Sequence, residues 1–143
     1  MKIDLDAMRR FFASSPFMVD LGVEPTATSE GCVTTTLPIA ARHLQHTGVV
    51  HAGVAAALAD HTMGAAAQTM APEGRLILTA ELKTSLLRAA RGERLVCEGR
   101  VLKAGRQISF TEAEVFAESA GQRTLVMKAS ATMAVSMIDK GSR

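Results

Sequence analysis

The chain has 143 residues, of which 48% are hydrophobic and 21% charged, and its formal net charge is +2. That is enough chain for one domain with a real core, and too apolar for a disordered segment. The near-neutral balance, with no dense Lys/Arg cluster and no interleaved aromatics, excludes a nucleic-acid-binding protein. No apolar run is long enough to span a bilayer, because the Ala-rich stretch after Gly53 is interrupted by Asp60, His61 and Gln68. Cys32 and Cys97 lie far apart, without metal-ligand spacing, and read as free thiols of a reducing compartment. Met1-Lys2-Ile3-Asp4 lacks the basic-then-apolar pattern of a secretory signal, so the expected location is cytoplasmic.

In chain order, Asp4 to Ser14 reads as a short amphipathic helix, with Leu5, Met8, Phe11 and Phe12 on one side and Arg9 and Arg10 on the other. Asp4 or Asp6 caps it, and Pro16 marks its exit. Val19–Ala27 and Val33–Pro38 read as two strands around the turn signal Ser29-Glu30-Gly31. Residues 39–52 are irregular and hold His43, His46 and His51. Gly53 to Met70 is the one long helix, small and apolar on every side, a pattern that predicts burial all round. Its lone carboxylate, Asp60, is hard to explain by folding alone, since an unpaired buried charge is costly.

The second half switches to period two. Ala80, Leu82, Thr84 and Leu86 alternate with Glu81, Lys83 and Ser85, and Leu125, Met127, Ala129, Ala131 and Met133 alternate with polar residues. Ile108–Phe116 is a less regular strand, with Ile108, Phe110 and Phe116 on one face and Glu112 and Glu114 among them. Arg91-Gly92-Glu93, Lys103-Ala104-Gly105-Arg106 and Ala120-Gly121-Gln122 read as turns, which predicts consecutive antiparallel hairpins. The expected architecture is α+β: a curved antiparallel sheet of five to six strands wrapped around one long buried helix. A single domain is expected over 1–143, with the first helix in 1–15, the core in 16–135 and a tail in 136–143.

Several motifs now fall into one order: Pro16-Phe17 with Leu21-Gly22-Val23; Gln45-x-x-Gly48-x-Val50-His51-x-Gly53; Leu58-Ala59-Asp60; Thr79-Ala80-Glu81-Leu82; Leu87-Arg88-x-Ala90-Arg91-Gly92-Glu93; and Gly99-Arg100-Val101 with Gly105-Arg106. Together they resemble the hotdog-fold acyl-CoA thioesterases of the phenylacetate-degradation, PaaI-type branch. The resemblance implies a thioester hydrolase acting on acyl-CoA, with no cofactor beyond the coenzyme A of the substrate. It also implies a homodimer, assembled as a dimer of dimers, with active sites at the dimer interface.

Hydrolysis of a thioester needs a base or nucleophile near the carbonyl carbon and donors aimed at its oxygen. The resemblance gives Asp60 the first role, as general base or nucleophile. The second falls to the backbone N–H of Ala52, at a helix N-terminus, where free N–H groups and the positive dipole end suit a developing negative oxygen. The family usually has His-Gly-Gly where this chain has His51-Ala52-Gly53; the methyl group bears on the shape of the oxyanion hole, since alanine resists positive φ. Gln45 is the candidate amide for the thioester oxygen or the water, Thr79 for orienting water or Asp60, and His51 for organising the loop; Gly53 reads either with this site or as an eased start of the helix. Eight residues separate Ala52 from Asp60, roughly 12 Å of helix, so one carbonyl reaches both only if two subunits build each site. Arg88, Lys103 and Arg106, at strand ends, are candidates to grip the phosphates of coenzyme A.

Other chemistries fit less well. His46, His51, Asp60 and His61 lack the i, i+4 pairing of a helical zinc motif, and no Gly-x-Ser-x-Gly elbow is present. A hydratase needs an acid/base His paired with the carboxylate, and His61 points about a quarter turn away from Asp60. A non-catalytic acyl-CoA sensor or carrier on the same fold is the alternative from another class.

Overall fold

The structure, a computed structural model, describes residues 3–137. Helix α1 (Leu5–Ala13) begins where Asp4 accepts a hydrogen bond from the Ala7 N–H at 2.8 Å, and it buries Met8 and Phe12. The strand expected from Val19 starts later. Pro16–Leu21 forms helix α2, with Pro16 in its first turn and Gly22 closing it at φ +87°, where the Gly22 N–H reaches the Met18 carbonyl at 3.0 Å. A six-residue pattern ending in Leu-Gly serves a helix with a left-handed cap as well as a strand, and the cap decided it.

Strands β1 (Glu24–Ser29) and β2 (Cys32–Pro38) form the expected hairpin. Helix α3 runs Ala52–Gln68, followed by β3 (Arg75–Leu86), β4 (Arg94–Ala104), β5 (Ile108–Ser119) and β6 (Gln122–Met137). The six strands make one antiparallel sheet in the order β1-β2-β4-β5-β6-β3. Consecutive hairpins therefore hold for β4-β5-β6 but not for β3, which pairs with β6, while β2 pairs with β4. The segment around Arg91-Gly92-Glu93 is a crossover from one edge of the sheet to its middle. Strand β6 already occupies Ser136 and Met137 of the expected tail; residues 138–143, like Met1 and Lys2, lie outside the described residues.

The sheet curls around α3, as the hotdog arrangement requires. Its concave side is lined by small or slender side chains, Thr111, Ala113, Val115 and Ala117 on β5 and Ala129, Ala131 and Met133 on β6, all buried. The helix sits close because its seat is cut away: a Cβ on Gly99 of β4 would stand 3.0–3.1 Å from the Cγ2, carbonyl carbon and oxygen of Thr62. The Thr62 hydroxyl is satisfied in this dry seat by the Leu58 carbonyl and the Thr35 hydroxyl, both at 2.7 Å. Each of the fully buried Leu58, Met63, Leu95 and Met127 contributes about 1.5–3 kcal/mol of apolar burial. Helix α3 is nonetheless not buried all round: Gly53 is exposed, and Ala56, Ala57, Asp60 and Gly64 are half-buried, so one flank is open within a single chain.

The large residues of β5 face outward rather than in. Ile108, Phe110 and Phe116 share the convex side with Glu112 and Glu114, which explains the irregular period read from the sequence. At one end of this side ion pairs cross the strands: Arg94 with Glu118 at 2.7 Å, Arg100 with Glu112, and Arg123 with Glu98 at 2.9 Å while its guanidinium lies 4.6 Å over the Phe116 ring. At the other end Leu78, Leu102, Ile108 and Phe110 are exposed together. No helix among the described residues is long and apolar enough to cross a membrane.

Candidate active site

Two pieces of chemistry lie on α3. The first is its N-terminus. His51 is the N-cap, and its Nδ1 accepts the Gly53 N–H at 2.8 Å. A Cβ on Gly53 would meet that ring at 3.0 Å from Nδ1 and 3.3 Å from Cε1, so glycine here makes room for the capping imidazole. Ala52 takes ordinary helical backbone, and among the described non-glycine residues only Ala120 has positive φ. The methyl group therefore costs nothing at this position. The His51 carbonyl takes the Val54 N–H, the His51 ring takes that of Gly53, and the Ala52 N–H is left exposed without an acceptor among the described residues.

The loop before it is pinned from within. The Gln45 carboxamide oxygen accepts the Thr47 N–H and, at 2.7 Å, the Thr47 hydroxyl, while Gly48, at φ +84°, closes the turn onto the Gln45 carbonyl at 2.9 Å. The Gln45 oxygen thus serves the turn, and its NH2 group keeps its donors. His43 has a structural job: its Nδ1 accepts the Ala40 N–H at 2.9 Å and its Nε2 lies 2.8 Å from the Leu21 carbonyl, which fixes the neutral Nε2–H tautomer.

Gln45, His46, His51, Ala52 and Arg88 share a cavity of about 570 Å³ whose apolar walls include Leu86, Leu87, Val126 and Met127. No carboxylate lines it. Arg88 is steadied there by the Leu125 carbonyl, 2.9 Å from its Nη1.

The second piece is the Asp60 carboxylate, two turns along α3. The Thr79 hydroxyl donates to Asp60 Oδ1 at 2.6 Å and also contacts Met133 Sδ at 3.4 Å. Thr79 is held in position by the irregularity that shifts the β3–β6 register between Thr79 and Glu81. Such breaks re-aim the side chains beside them. One carboxylate oxygen is bonded and the half-buried group faces the open flank of α3, next to Ala56, Ala57 and Gly64.

The expected site residues thus fall into two groups. Gln45, His51, Ala52, Gly53 and Arg88 gather at the Leu86 end of β3, and Asp60 and Thr79 near its middle. Lys103 and Arg106 lie on the exposed β4–β5 hairpin, beside Ile108, which is in register with Ala134 and through it with Leu78. The fold therefore does not bring Arg88 together with Lys103 and Arg106 within one chain. The cavity walls from β3 and β6 were not legible as site residues, because only the β3–β6 pairing brings Leu86 and Met127 together. No group of three or more His, Cys, Asp or Glu among the described residues is arranged to hold a metal ion.

Cys97 is fully buried beneath α3, and burial pushes its thiol up to about 12, so it is an inert neutral wall residue. His61 was assigned no role from the sequence. It packs under α1, its ring 5.8 Å from Phe11 in a stacked arrangement and 4.7 Å from Phe12 edge-on, with Nε2 buried and without a hydrogen-bond partner among the described residues.

A helix wrapped by an antiparallel sheet, with a bare N–H at its N-terminus and a fixed carboxylate along its open flank, defines a hotdog-fold thioester hydrolase. The chain belongs to the thioesterase superfamily, whose profile matches residues 47–124, more than half of its length. It is 29% identical over 106 residues to the proofreading thioesterase EntH of Klebsiella pneumoniae, a match covering 74% of this chain and 77% of that protein. A thioesterase family protein from Silicibacter pomeroyi has a similar crystal structure, with TM-score 0.88 and 29% identity over 90% of this chain and 95% of that one. The PaaI protein of the E. coli phenylacetic acid degradation operon shares the fold, with TM-score 0.81 at 18% identity over 90% of each chain.

Proposed function

We propose that this protein is an intracellular acyl-CoA thioesterase whose active site is shared between two subunits of a homodimer. The observation that carries this reading is the split of the machinery along α3: an unpartnered Ala52 N–H at one end and the Thr79-bound Asp60 carboxylate further along, on a flank left open in the single chain. The two are separated by roughly 12 Å of helix, too far for one thioester carbonyl.

Strand β3 supplies the geometry for joining them. Among the described residues it ends the sheet, bonded to β6 on one side only. An unpaired edge of this length is either covered or joined by another strand. A two-fold β3–β3 contact centred between the two positions sets the Leu86 end of one strand beside Thr79 of the other. Each Asp60 then faces the partner's α3 N-terminus, and the open flanks of both helices are covered.

In this site Asp60 activates a water molecule or attacks the carbonyl carbon itself. The Thr79 hydroxyl holds one carboxylate oxygen, leaving the other for the reacting atom. Negative charge building on the thioester oxygen is received by the Ala52 N–H, with the helix dipole behind it, and by the NH2 of Gln45. His51 and Gly53 keep that N–H aimed. With Asp60 as base, the water proton it takes up passes to the departing thiolate of coenzyme A and the acid is released directly; with Asp60 as nucleophile, the thiolate leaves behind an acyl–Asp60 anhydride, which a water molecule then hydrolyses to the acid and the free carboxylate. The steps call on water and protein groups alone, without a metal or redox cofactor. The same two-fold contact supports a phosphate-binding role for Arg88 of one subunit together with Lys103 and Arg106 of the other. The exposed corner of Leu78, Leu102, Ile108 and Phe110 supports further association into a dimer of dimers.

The test is free-thiol release from a panel of aryl, short-chain and long-chain acyl-CoAs by wild type and Asp60→Asn. Turnover by wild type that falls by about a thousandfold or more in a folded, dimeric variant supports the reading. Tight acyl-CoA binding by both proteins with no turnover overturns it in favour of a sensor or carrier.

A further inference from the structure

Helix α1 and His61 stand outside the catalytic reading, and their contact has its own chemistry. α1 packs on β1 and α2, and it reaches α3 through an aromatic clasp: Phe11 stacks on the imidazole with an interplanar angle of 25°, and Phe12 meets it edge-on at 80°. Phe11 and Phe12 also meet each other edge-on, at 6.1 Å. The imidazole is thus the polar member of a three-ring cluster, and its Nε2 is buried with nothing to bond among the described residues.

A neutral ring can leave that nitrogen as an unused lone pair. An imidazolium cannot do the same cheaply, because Nε2 becomes a buried N–H donor with no acceptor among the described residues and a full charge enters a half-buried ring held between two phenyl groups.

We propose that His61 is a pH-sensitive latch that keeps the N-terminal helix docked on α3 while the imidazole is neutral and releases it on protonation.

The surroundings give a charged ring little compensation. On α3 itself the only facing charge is Asp60, whose carboxylate favours the protonated ring. The charged side chains of α1, Asp6, Arg9 and Arg10, are exposed, and Asp6 pairs with Arg9 at 3.1 Å. Glu24 and Glu30, on and beside the β1 strand that packs against α1, are exposed as well. The five strands packed against α3, β2 to β6, bury no charged side chain among the described residues, and their buried titratable group, Cys97, is neutral. The face of Phe11 attracts a cation weakly. Desolvation outweighs the Asp60 carboxylate, so the His61 pKa lies below its ordinary value.

The sign follows from linkage. A depressed pKa in the docked state gives stability that is fully present above the free-imidazole value of about 6.5 and is lost as pH falls through the docked-state value. At pH 5.0, an imidazole kept neutral in the docked state and free to titrate when released shifts the docking equilibrium by at most about 30-fold.

The experiment is hydrogen exchange of the α1 amides, corrected for the intrinsic pH dependence of exchange, at pH 7.5 and 5.0 in wild type, His61→Gln and His61→Leu. The α3 amides serve as the internal control for global opening. Wild type is expected to lose protection in residues 5–13, by up to about 30-fold, with α3 unchanged, while both variants keep the same α1 protection at the two pH values. The glutamine variant retains a neutral polar side chain should leucine strain the clasp. Equal pH dependence in all three proteins, or an NMR titration of His61 with a midpoint at or above 6.5, overturns the proposal. Neither readout depends on the catalytic assignment of Asp60.

Discussion

Ala52→Pro separates the catalytic use of one N–H from its structural use. Proline removes that group and little else, for three reasons visible in the fold. Ala52 is the first residue of α3, where proline's missing donor is one of the helix's unpaired N–H groups and its fixed φ suits the turn. His51, at φ −60° and ψ +136°, already has the extended backbone that a following proline demands. The Ala52 N–H has no acceptor to lose among the described residues. The structure therefore predicts a stability change between zero and a gain of about 1 kcal/mol, the gain coming from a stiffer unfolded chain. If the N–H receives charge in the transition state, kcat falls by about a hundred- to a thousandfold, as for loss of one oxyanion donor. Urea denaturation, gel filtration and acyl-CoA turnover on the same preparation read both quantities. A stable dimeric variant with wild-type kcat would refute the oxyanion role, and a strongly destabilised one would refute the backbone argument.

Thr79→Val keeps the shape of the side chain and deletes the bond to Asp60; kcat is expected to fall by about tenfold, with KM and urea midpoint nearly unchanged, as befits one lost orienting bond. Gly99→Ala drives a methyl group into the backbone of α3 at Thr62; a loss of about 1–3 kcal/mol is expected from overpacking, measured by urea denaturation. Of the two thiols, exposed Cys32 is expected to react with a disulfide reagent in the native protein and Cys97 only after denaturation; two fast-reacting thiols in the native state would contradict the buried placement.

The fold was legible where pattern and packing agree. The small, apolar run after Gly53 became α3 because only such a helix can sit against Gly99 and the alanine-lined concave face. Val19–Leu21 misled because a short apolar run does not distinguish strand from helix; the left-handed Gly22 cap settled it. The place of β3 was not legible either, since alternation says that a strand has two faces but not which neighbour it takes. The irregular period of β5 was a true signal: its large side chains belong to the convex surface. In the site, Asp60 stood out as a charge without a folding reason, and its Thr79 partner came through the family resemblance. His61 was passed over because its significance lies in Phe11 and Phe12, about fifty residues away, meeting on its ring.

The most direct test of a shared site is complementation between two inactive proteins. Asp60→Asn and Ala52→Pro homodimers each lack one half of every site. Denatured together in equal amounts and refolded, half of the dimers are mixed, and each mixed dimer carries one site with Asp60 from one chain and the Ala52 N–H from the other. The account predicts recovery of about a quarter of wild-type turnover in the mixture. Turnover no higher than the average of the two separate variants, with mixed dimers present, would contradict it and place both groups in a single chain's site.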